Sequence, residues 1–111
     1  MTSSPTWGEV WWYEPPSLPR RPFLVVTRPV ACELLNQLLA VPATRTIRGI
    51  PTEVRLDRAD GMPTECVLTL DNVTLVRPVF LTARVTTLGA DVMRRVCRAL
   101  ADATVCAAAD S

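Results

Sequence analysis

The sequence predicts a mainly β protein, a small and strongly bent antiparallel sheet with a short helix and a C-terminal amphipathic helix. Three observations favour this fold class. Short runs of apolar and β-branched residues alternate with loops rich in proline and charge, as strands and their connections do. The chain then ends on a helical period instead of a strand period. A length of 111 residues allows one domain with a single hydrophobic core.

The composition excludes several kinds of site. All twelve basic residues are arginine, and the chain has no histidine. Histidine is the usual general acid or base and the commonest metal ligand, so a Ser-His-Asp or Cys-His site cannot be built from this chain. The net charge of +1 does not indicate a polyanionic partner. The four cysteines have no CxxC spacing, so we expect reduced, buried thiols, with neither a metal nor another cofactor.

The N-terminal residues carry no secretory signal pattern, and the chain has no apolar run long enough for a membrane span. The N-terminus lacks a basic region followed by an apolar one, and no apolar run approaches the ~18 residues of a membrane span. We therefore expect a cytoplasmic protein with no membrane contact. Residues 1–6 are predicted to be a disordered N-terminus, residues 7–105 the folded domain, and residues 106–111 a frayed tail.

Six runs of strand-forming residues predict the sheet. Residues 8–13 are rich in aromatics and lead into a proline-punctuated loop over residues 14–22. Pro22 can precede a strand because the first residue of a strand need not donate to the ladder. The six predicted strands are residues 8–13, 23–27, 37–43, 50–56, 66–76 and 83–88.

Two helices complete the predicted architecture. One or two helical turns are expected over residues 30–36, and residues 89–105 have apolar side chains at helical spacing. Gly89 is an acceptable N-cap, and Asp91 favours the first turn electrostatically. Arginines at positions 94, 95 and 98 fall on the other face. The predicted apolar face comprises Val92, Met93, Val96, Cys97 and Leu100.

Several motifs follow one another in a distinctive order. They are GEVWW, a loop, RRPFLVV, VPATRTIRGIPTEV, LDNV and the terminal amphipathic helix, and they span residues 8–100. This order and spacing resemble the MazF/PemK toxins of type II toxin–antitoxin systems. The resemblance implies an SH3-like β-barrel that forms a homodimer and is silenced by a cognate antitoxin. It also implies metal-independent, sequence-specific cleavage of single-stranded RNA, either messenger RNA or exposed loops of tRNA or rRNA.

The resemblance implies two catalytic positions. The catalytic arginine of the family stands immediately before the proline that opens the second strand, here Arg21. The catalytic threonine closes the third strand in a VPxT setting, here Thr44. Many relatives have a longer first loop with a glutamate considered for proton transfer. The shorter loop of this chain offers only Glu14, so either Glu14 or no side chain fills that role.

Five more side chains are candidate RNA contacts. An arginine fork matches two phosphate oxygens, and a side-chain amide can bind a base edge. Each candidate also has a structural alternative: the arginines as solvated charges or charges at a strand edge, and the asparagine as an amide that fixes local backbone. The candidates are Arg20, Arg45, Thr46, Arg48 and Asn72.

Adjacent aromatics at Trp11 and Trp12 point to opposite faces of one strand. One is expected in the core. The other belongs at a surface, and a dimer interface is favoured over an RNA groove in which the ring would stack on a base.

Two functions other than RNA cleavage stay open. One is a non-enzymatic poison of DNA gyrase, as in the related CcdB branch of the fold. The Arg-Pro and threonine motifs argue against it, and the C-terminal tryptophan–glycine ending of that branch is absent. The other is an inactive barrel that serves as an interaction module.

Overall fold

The computed structural model describes residues 4–104. Residues 1–3 of the predicted disordered N-terminus and the predicted tail over residues 106–111 lie outside this range. Within it the chain forms seven strands and two helices, which confirms the predicted fold class. They are β1 (Glu9–Tyr13), β2 (Arg21–Val25), α1 (Pro29–Cys32), β3 (Leu38–Thr44), β4 (Glu53–Leu56), β5 (Cys66–Thr69), β6 (Thr74–Val76), β7 (Leu81–Thr87) and α2 (Ala90–Thr104).

The sheet is antiparallel and bends at β3. The strand order is β4-β5-β3-β2-β1-β7, and β6 also pairs with β3. One edge of β3 faces β2, whereas the other edge pairs first with β6 and then, at Ala43 and Thr44, with β5. Across residues 4–104 the two end strands, β4 and β7, do not pair with each other. The sheet is therefore strongly bent without closing through a backbone ladder.

The predicted single strand over residues 66–76 is wrong. A 3-10 turn at Leu70–Asn72 divides it into β5 and β6. Leu70 is fully buried, and its N–H donates to the Thr52 carbonyl at 3.0 Å, which extends the β4–β5 register by one more residue pair before the chain turns. The turn moves the chain from the second half of β3 to its first half. The sequence conceals this change because the residues before and after the turn both have strand composition.

Three predicted strand starts also shift by two or more residues. β4 begins at Glu53 instead of residue 50. β2 begins at Arg21 instead of residue 23, since Arg21 and Pro22 continue the ladder opposite Tyr13 and Trp12. β7 begins at Leu81 instead of residue 83, where it pairs with the end of β1 through an irregular register. The longer β2 places Arg21 on regular backbone.

The bent sheet has two buried apolar clusters, and α2 covers the larger one. Met93, Val96 and Ala99 are the buried residues of this helix, and the Met93 N–H donates to the Gly89 carbonyl at 3.0 Å. Within residues 4–104 no helix has the length and apolar character to cross a bilayer.

The prediction of uniformly buried thiols is wrong for Cys97. Cys32 and Cys66 are buried, but Cys97 is exposed on α2. The buried stripe of the helix continues through Ala99, so Cys97 lies on its flank beside the arginine-bearing face. Cys106 lies outside the described residues.

Candidate active site

An open cleft of about 610 Å³ lies where β1, β2 and β3 meet the segment leading into β5. Its walls carry three arginines, three threonines and one cysteine. Among the described residues that line it, none is a carboxylate. The lining residues are Trp12, Arg20, Arg21, Pro22, Ala43, Thr44, Arg45, Thr46, Met62, Pro63, Thr64 and Cys66.

Arg21 and Thr44 come together because β2 and β3 are antiparallel neighbours. The ladder pairs Phe23 with Pro42, and the same register places Arg21 opposite Thr44 two residues further on. Both residues line the cleft. Pro22 restricts the backbone of Arg21 to extended conformations, so the guanidinium is carried by a stiff segment.

The Thr44 hydroxyl has a defined orientation. Its Oγ1 accepts a hydrogen bond from the Thr46 N–H at 3.3 Å, and the residue is half-buried. A hydroxyl that accepts in this way keeps its own O–H to donate. Thr44 can therefore offer a hydrogen bond to an anionic oxygen in the cleft.

The positive charge of the cleft is not neutralised by neighbouring side chains. Arg20, Arg21 and Arg45 line it, and none of the three forms an ion pair within residues 4–104. Three unpaired guanidiniums over an acid-free surface suit a phosphodiester, because their planar forks match two phosphate oxygens each.

The two adjacent tryptophans point to opposite faces, as predicted. Trp11 is buried, and its indole N–H donates to Glu9 Oε1 at 3.0 Å. Trp12 is half-buried and lines the cleft, where the Arg20 Cζ lies 4.0 Å from the centroid of its ring. This position favours the RNA-groove alternative for Trp12 over the dimer interface.

Glu14 does not line the cleft. Its carboxylate accepts a hydrogen bond from the Thr82 hydroxyl on β7, and its N–H donates to the Phe80 carbonyl at 2.8 Å. These contacts direct Glu14 toward β7 and away from Arg21.

Arg48 and Asn72 also lie outside the cleft lining. The backbone N–H groups of Arg48 and Gly49 donate to the Glu53 Oε1 at 3.0 and 2.9 Å, which anchors the loop after β3. The Asn72 amide donates to the Thr69 hydroxyl at 3.5 Å. This contact corresponds to the structural alternative for Asn72.

One wall of the cleft has no counterpart among the predicted site residues. Met62, Pro63 and Thr64 come from the β4–β5 connection, and Cys66 opens β5. Burial, with smaller effects from Asp60 and Glu65, raises the pKa of the Cys66 thiol above its ordinary value. Cys66 is therefore a neutral thiol at physiological pH. Within residues 4–104 no cluster of three histidine, cysteine or acidic side chains could hold a metal ion.

The fold and the cleft together define a small β domain whose surface suits a phosphodiester. The chain belongs to the PemK-like, MazF-like toxins of type II toxin–antitoxin systems, because the model of that family matches residues 7–104. The resemblance found in the sequence motifs is confirmed.

Similar proteins are known from Mycobacterium tuberculosis. The chain is 39% identical over 107 residues to the probable endoribonuclease MazF5 of strain H37Rv, covering 96% of this chain and 98% of the relative. It is 34% identical over 101 residues to the probable endoribonuclease MazF2 of that strain, covering 89% and 97%.

Solved structures have the same fold. The M. tuberculosis toxin MazF-mt6 superposes with a TM-score of 0.78 at 26% identity, covering 86% of this chain and 94% of the other. A mycobacterial endoribonuclease in complex with its cognate antitoxin has a TM-score of 0.82 at 23% identity, covering 93% and 97%. At that identity the likeness concerns the fold alone.

Proposed function

We propose that this protein is an endoribonuclease, the toxin of a type II toxin–antitoxin pair, and that Arg21 and Thr44 are its catalytic residues. The observation that carries the assignment is the facing position of these two residues in one cleft. Membership of the toxin family and the similarity to relatives named endoribonucleases support the activity.

The chemistry uses a nucleophile that RNA itself supplies. The 2′-hydroxyl oxygen attacks the adjacent phosphorus in line, the P–O5′ bond breaks, and a 2′,3′-cyclic phosphate and a 5′-hydroxyl result. Negative charge grows on the non-bridging oxygens in the transition state. Arg21 stabilises that charge through its fork, and the Thr44 hydroxyl donates a further hydrogen bond.

Proton transfer has no dedicated side chain in the cleft. The lining groups are arginines, threonines and a thiol that stays neutral. The remaining candidate, Glu14, is engaged with Thr82 outside the cleft. Rate enhancement therefore comes mainly from positioning and electrostatic stabilisation. The 2′-hydroxyl proton leaves to solvent, and the departing 5′-oxygen takes a proton from solvent.

The substrate is single-stranded RNA, either messenger RNA or the exposed loops of tRNA and rRNA. Arg45, Thr46 and Arg48 belong to the loop that Glu53 anchors, at the end of β3. Arg45 and Thr46 contact the phosphates or bases that flank the cut. Arg48 contacts RNA further from the cut, whereas the Asn72 amide, which donates to the Thr69 hydroxyl, fixes local backbone. Cleavage at short sequence motifs, without a metal, halts translation and growth in the cytoplasm.

The protein acts as a homodimer through one exposed apolar patch. We define this apolar patch by residues of α1, the segment after it, β3 and β6. Leu39 and Leu75 face each other in the β3–β6 ladder, and Leu35 lines the same surface depression as Leu75. Large exposed apolar patches mark association surfaces. The patch consists of Val30, Leu34, Leu35, Leu39 and Leu75.

A cognate antitoxin silences the toxin. A disordered acidic and apolar segment that folds on binding would neutralise the three unpaired cleft arginines and cover the site. Occupation of the cleft by such a segment excludes RNA.

The experiment that tests the function uses defined RNAs with purified protein in EDTA. Discrete cuts with 5′-hydroxyl ends are expected, and they should disappear with Arg21→Ala. Growth arrest with trapped gyrase–DNA complexes and intact RNA would instead support a CcdB-like poison. The absence of both activities would support an inactive interaction module.

A further inference from the structure

Arg20 is held in the cleft by an aromatic ring instead of a carboxylate. Its Cζ lies 4.0 Å from the centroid of the Trp12 indole, and within residues 4–104 it forms no ion pair. Trp12 is fixed by its pairing with Pro22 in the β1–β2 ladder. The contact therefore orders a long side chain that would otherwise sample many rotamers.

The spacing of this pair determines where a planar ligand can bind. Atoms in van der Waals contact lie about 3.5–4 Å apart, so a base inserted between the two groups would need about twice that separation. Arg20 and Trp12 are already in contact. A base therefore does not fit between them, and the side of Arg20 turned away from the indole is where a base can stack, since Arg20 is exposed and lines the cleft.

We propose that Trp12 and Arg20 form a stacking subsite for the nucleobase beside the scissile phosphate. This inference rests on the proposed endoribonuclease function and names the feature of the RNA that the subsite selects. Trp12 is the platform, the Arg20 plane stacks on the base, and Arg21 binds the adjoining phosphate. Guanidinium planes stack on unpaired bases in RNA recognition.

The subsite explains a selection for unpaired RNA. A base within a duplex has both faces covered by its neighbours, so its face reaches the Arg20 plane only after it has left the stack. Stacking tolerates any base, because every base has a π-face. The subsite therefore selects an extruded nucleotide, and edge contacts elsewhere in the cleft select the sequence.

The alternative is that Arg20 only binds a phosphate or remains a solvated charge. A phosphate contact needs positive charge, which lysine retains, whereas stacking needs a plane, which lysine lacks. Trp12→Phe keeps an aromatic face beneath Arg20, but Trp12→Leu removes it. Arg20→Lys and this pair of substitutions at Trp12 separate the interpretations.

The test measures cleavage of intact and abasic RNAs by wild type and by the protein variants, in the manner of a double-mutant cycle. Short RNAs spanning a mapped cut carry an abasic nucleotide at each position in turn, and kcat/KM is measured. For wild type we expect a loss of about 10-fold or more at one position beside the cut. Arg20→Lys and Trp12→Leu should show a similar loss on intact RNA and little further loss on the abasic RNA, while Trp12→Phe should retain more of the wild-type kcat/KM and of the abasic penalty than Trp12→Leu does.

Several outcomes would overturn the subsite. Arg20→Lys that cleaves intact RNA as well as wild type would show that charge alone suffices. An abasic penalty that persists undiminished in Arg20→Lys and Trp12→Leu would place the stacking elsewhere. If wild type cleaves RNA and either of these results is found, the subsite proposal is wrong but the proposed endoribonuclease function stands. If wild type cleaves no RNA at all, the proposed function fails with it.

A binding measurement covers the case in which Trp12→Leu does not fold. An uncleavable 2′-O-methyl RNA of the mapped sequence should quench tryptophan fluorescence in wild type and in the control Trp7→Phe. The quenching should be lost in Trp12→Phe, which retains the aromatic face but not the indole fluorophore. Equal quenching in both variants would contradict a base at this position.

Discussion

Arg21 and Thr44 occupy facing positions on β2 and β3, in the register set by the pairing of Phe23 with Pro42. Neither position is a loop tip, since Arg21 begins one strand and Thr44 ends its neighbour. Both side chains are carried by paired backbone, Arg21 opposite Tyr13 and Thr44 opposite Val67, and both line the same cleft. Such preorganisation makes electrostatic stabilisation effective, because the groups need not rearrange as charge develops.

Arg21→Ala should abolish RNA cleavage without unfolding the protein. Loss of one preorganised donor to a developing oxyanion costs ~10²–10³ in kcat. Arg21 is exposed and forms no ion pair within residues 4–104, so the melting temperature should stay near that of wild type. Arg21→Lys should also be poor, because a point charge does not replace the fork. An active Arg21→Ala variant would contradict the assignment.

Thr44→Val should lower kcat and Thr44→Ser should preserve most of it. Valine has nearly the shape of threonine but lacks the hydroxyl, whereas serine keeps the donor. Loss of one hydrogen bond to a charged group removes about 1.5–3 kcal/mol of stabilisation, which is roughly a 10- to 100-fold loss of rate. Single-turnover cleavage measures it, and equal rates for valine and serine would exclude a hydroxyl role.

Glu14→Gln should leave cleavage nearly unchanged. The Glu14 carboxylate binds Thr82, and no acidic side chain is among the cleft-lining residues. Loss of a true general base would cost ~10²–10⁴ in kcat, so a change within about threefold distinguishes the two cases. A loss of ~10²-fold or more in a folded Glu14→Gln variant would instead assign the base to Glu14.

The sequence predicts the pair of site residues whose positions depend only on which strands are neighbours. Arg21 and Thr44 lie at strand ends whose pairing follows from antiparallel neighbours, so their meeting could be foreseen. The β4–β5 connection could not be placed in the same way. Its residues Met62 and Thr64 carry no motif, and they reach the cleft only because β5 pairs with the second half of β3.

The misplaced elements have a common physical origin. The turn at Leu70–Asn72 cannot be foreseen from sequence because the residues on both sides of it have strand composition, and a fully buried Leu70 fits an apolar strand equally well. Cys97 was assigned to the buried face because helical spacing allows a broad apolar stripe. The true stripe is narrower, and tertiary packing alone determines its width.

Cys97 should react with iodoacetamide before Cys66 does. Cys97 is exposed, whereas Cys66 is buried and has a raised pKa, so little of it is thiolate. In a Cys106→Ser background, peptide mapping at partial labelling should find the adduct at Cys97. Preferential labelling of Cys66 would contradict its burial.

The raised pKa of Cys66 also predicts how the free energy of unfolding depends on pH. Above the ordinary Cys pKa the unfolded chain releases the Cys66 proton while the folded chain keeps it, so the folded state binds more protons. The free energy of unfolding should therefore fall as pH rises from about 8 to about 10. Urea titrations should show a smaller fall in Cys66→Ala, and equal slopes would contradict the raised pKa.

Leu75→Arg should convert the homodimer to a monomer. Leu75 is 56% exposed within the apolar patch and faces Leu39, so a charge there would be buried without a partner in the dimer. Leu18→Arg is the matched control, because Leu18 is 63% exposed but lies outside the patch. Sedimentation velocity measures the change. A dimer that survives Leu75→Arg would place the interface elsewhere.

Gly61→Ala should destabilise the fold more than Gly49→Ala. Both glycines have positive φ, +94° and +73°, so either alanine adds backbone strain of about 1–2 kcal/mol. A Cβ on Gly61 would also lie 2.2 Å from the Oγ1 and 2.7 Å from the Cβ of Thr86, whereas one on Gly49 would meet nothing within 4 Å.

The added cost at Gly61 arises because Thr86 links the two end strands of the sheet, β4 and β7, which do not pair with each other in the described part of the chain. The Thr86 hydroxyl on β7 donates to the Asp60 carbonyl at 2.9 Å, which ties β7 to the turn after β4. Displacing Thr86 to admit a methyl group weakens that tie, so Gly61→Ala should lose a further ~1–3 kcal/mol of unfolding free energy. Chemical denaturation of both variants measures the difference. Equal losses of unfolding free energy in the two variants would mean that displacing Thr86 costs nothing and that only the positive φ matters.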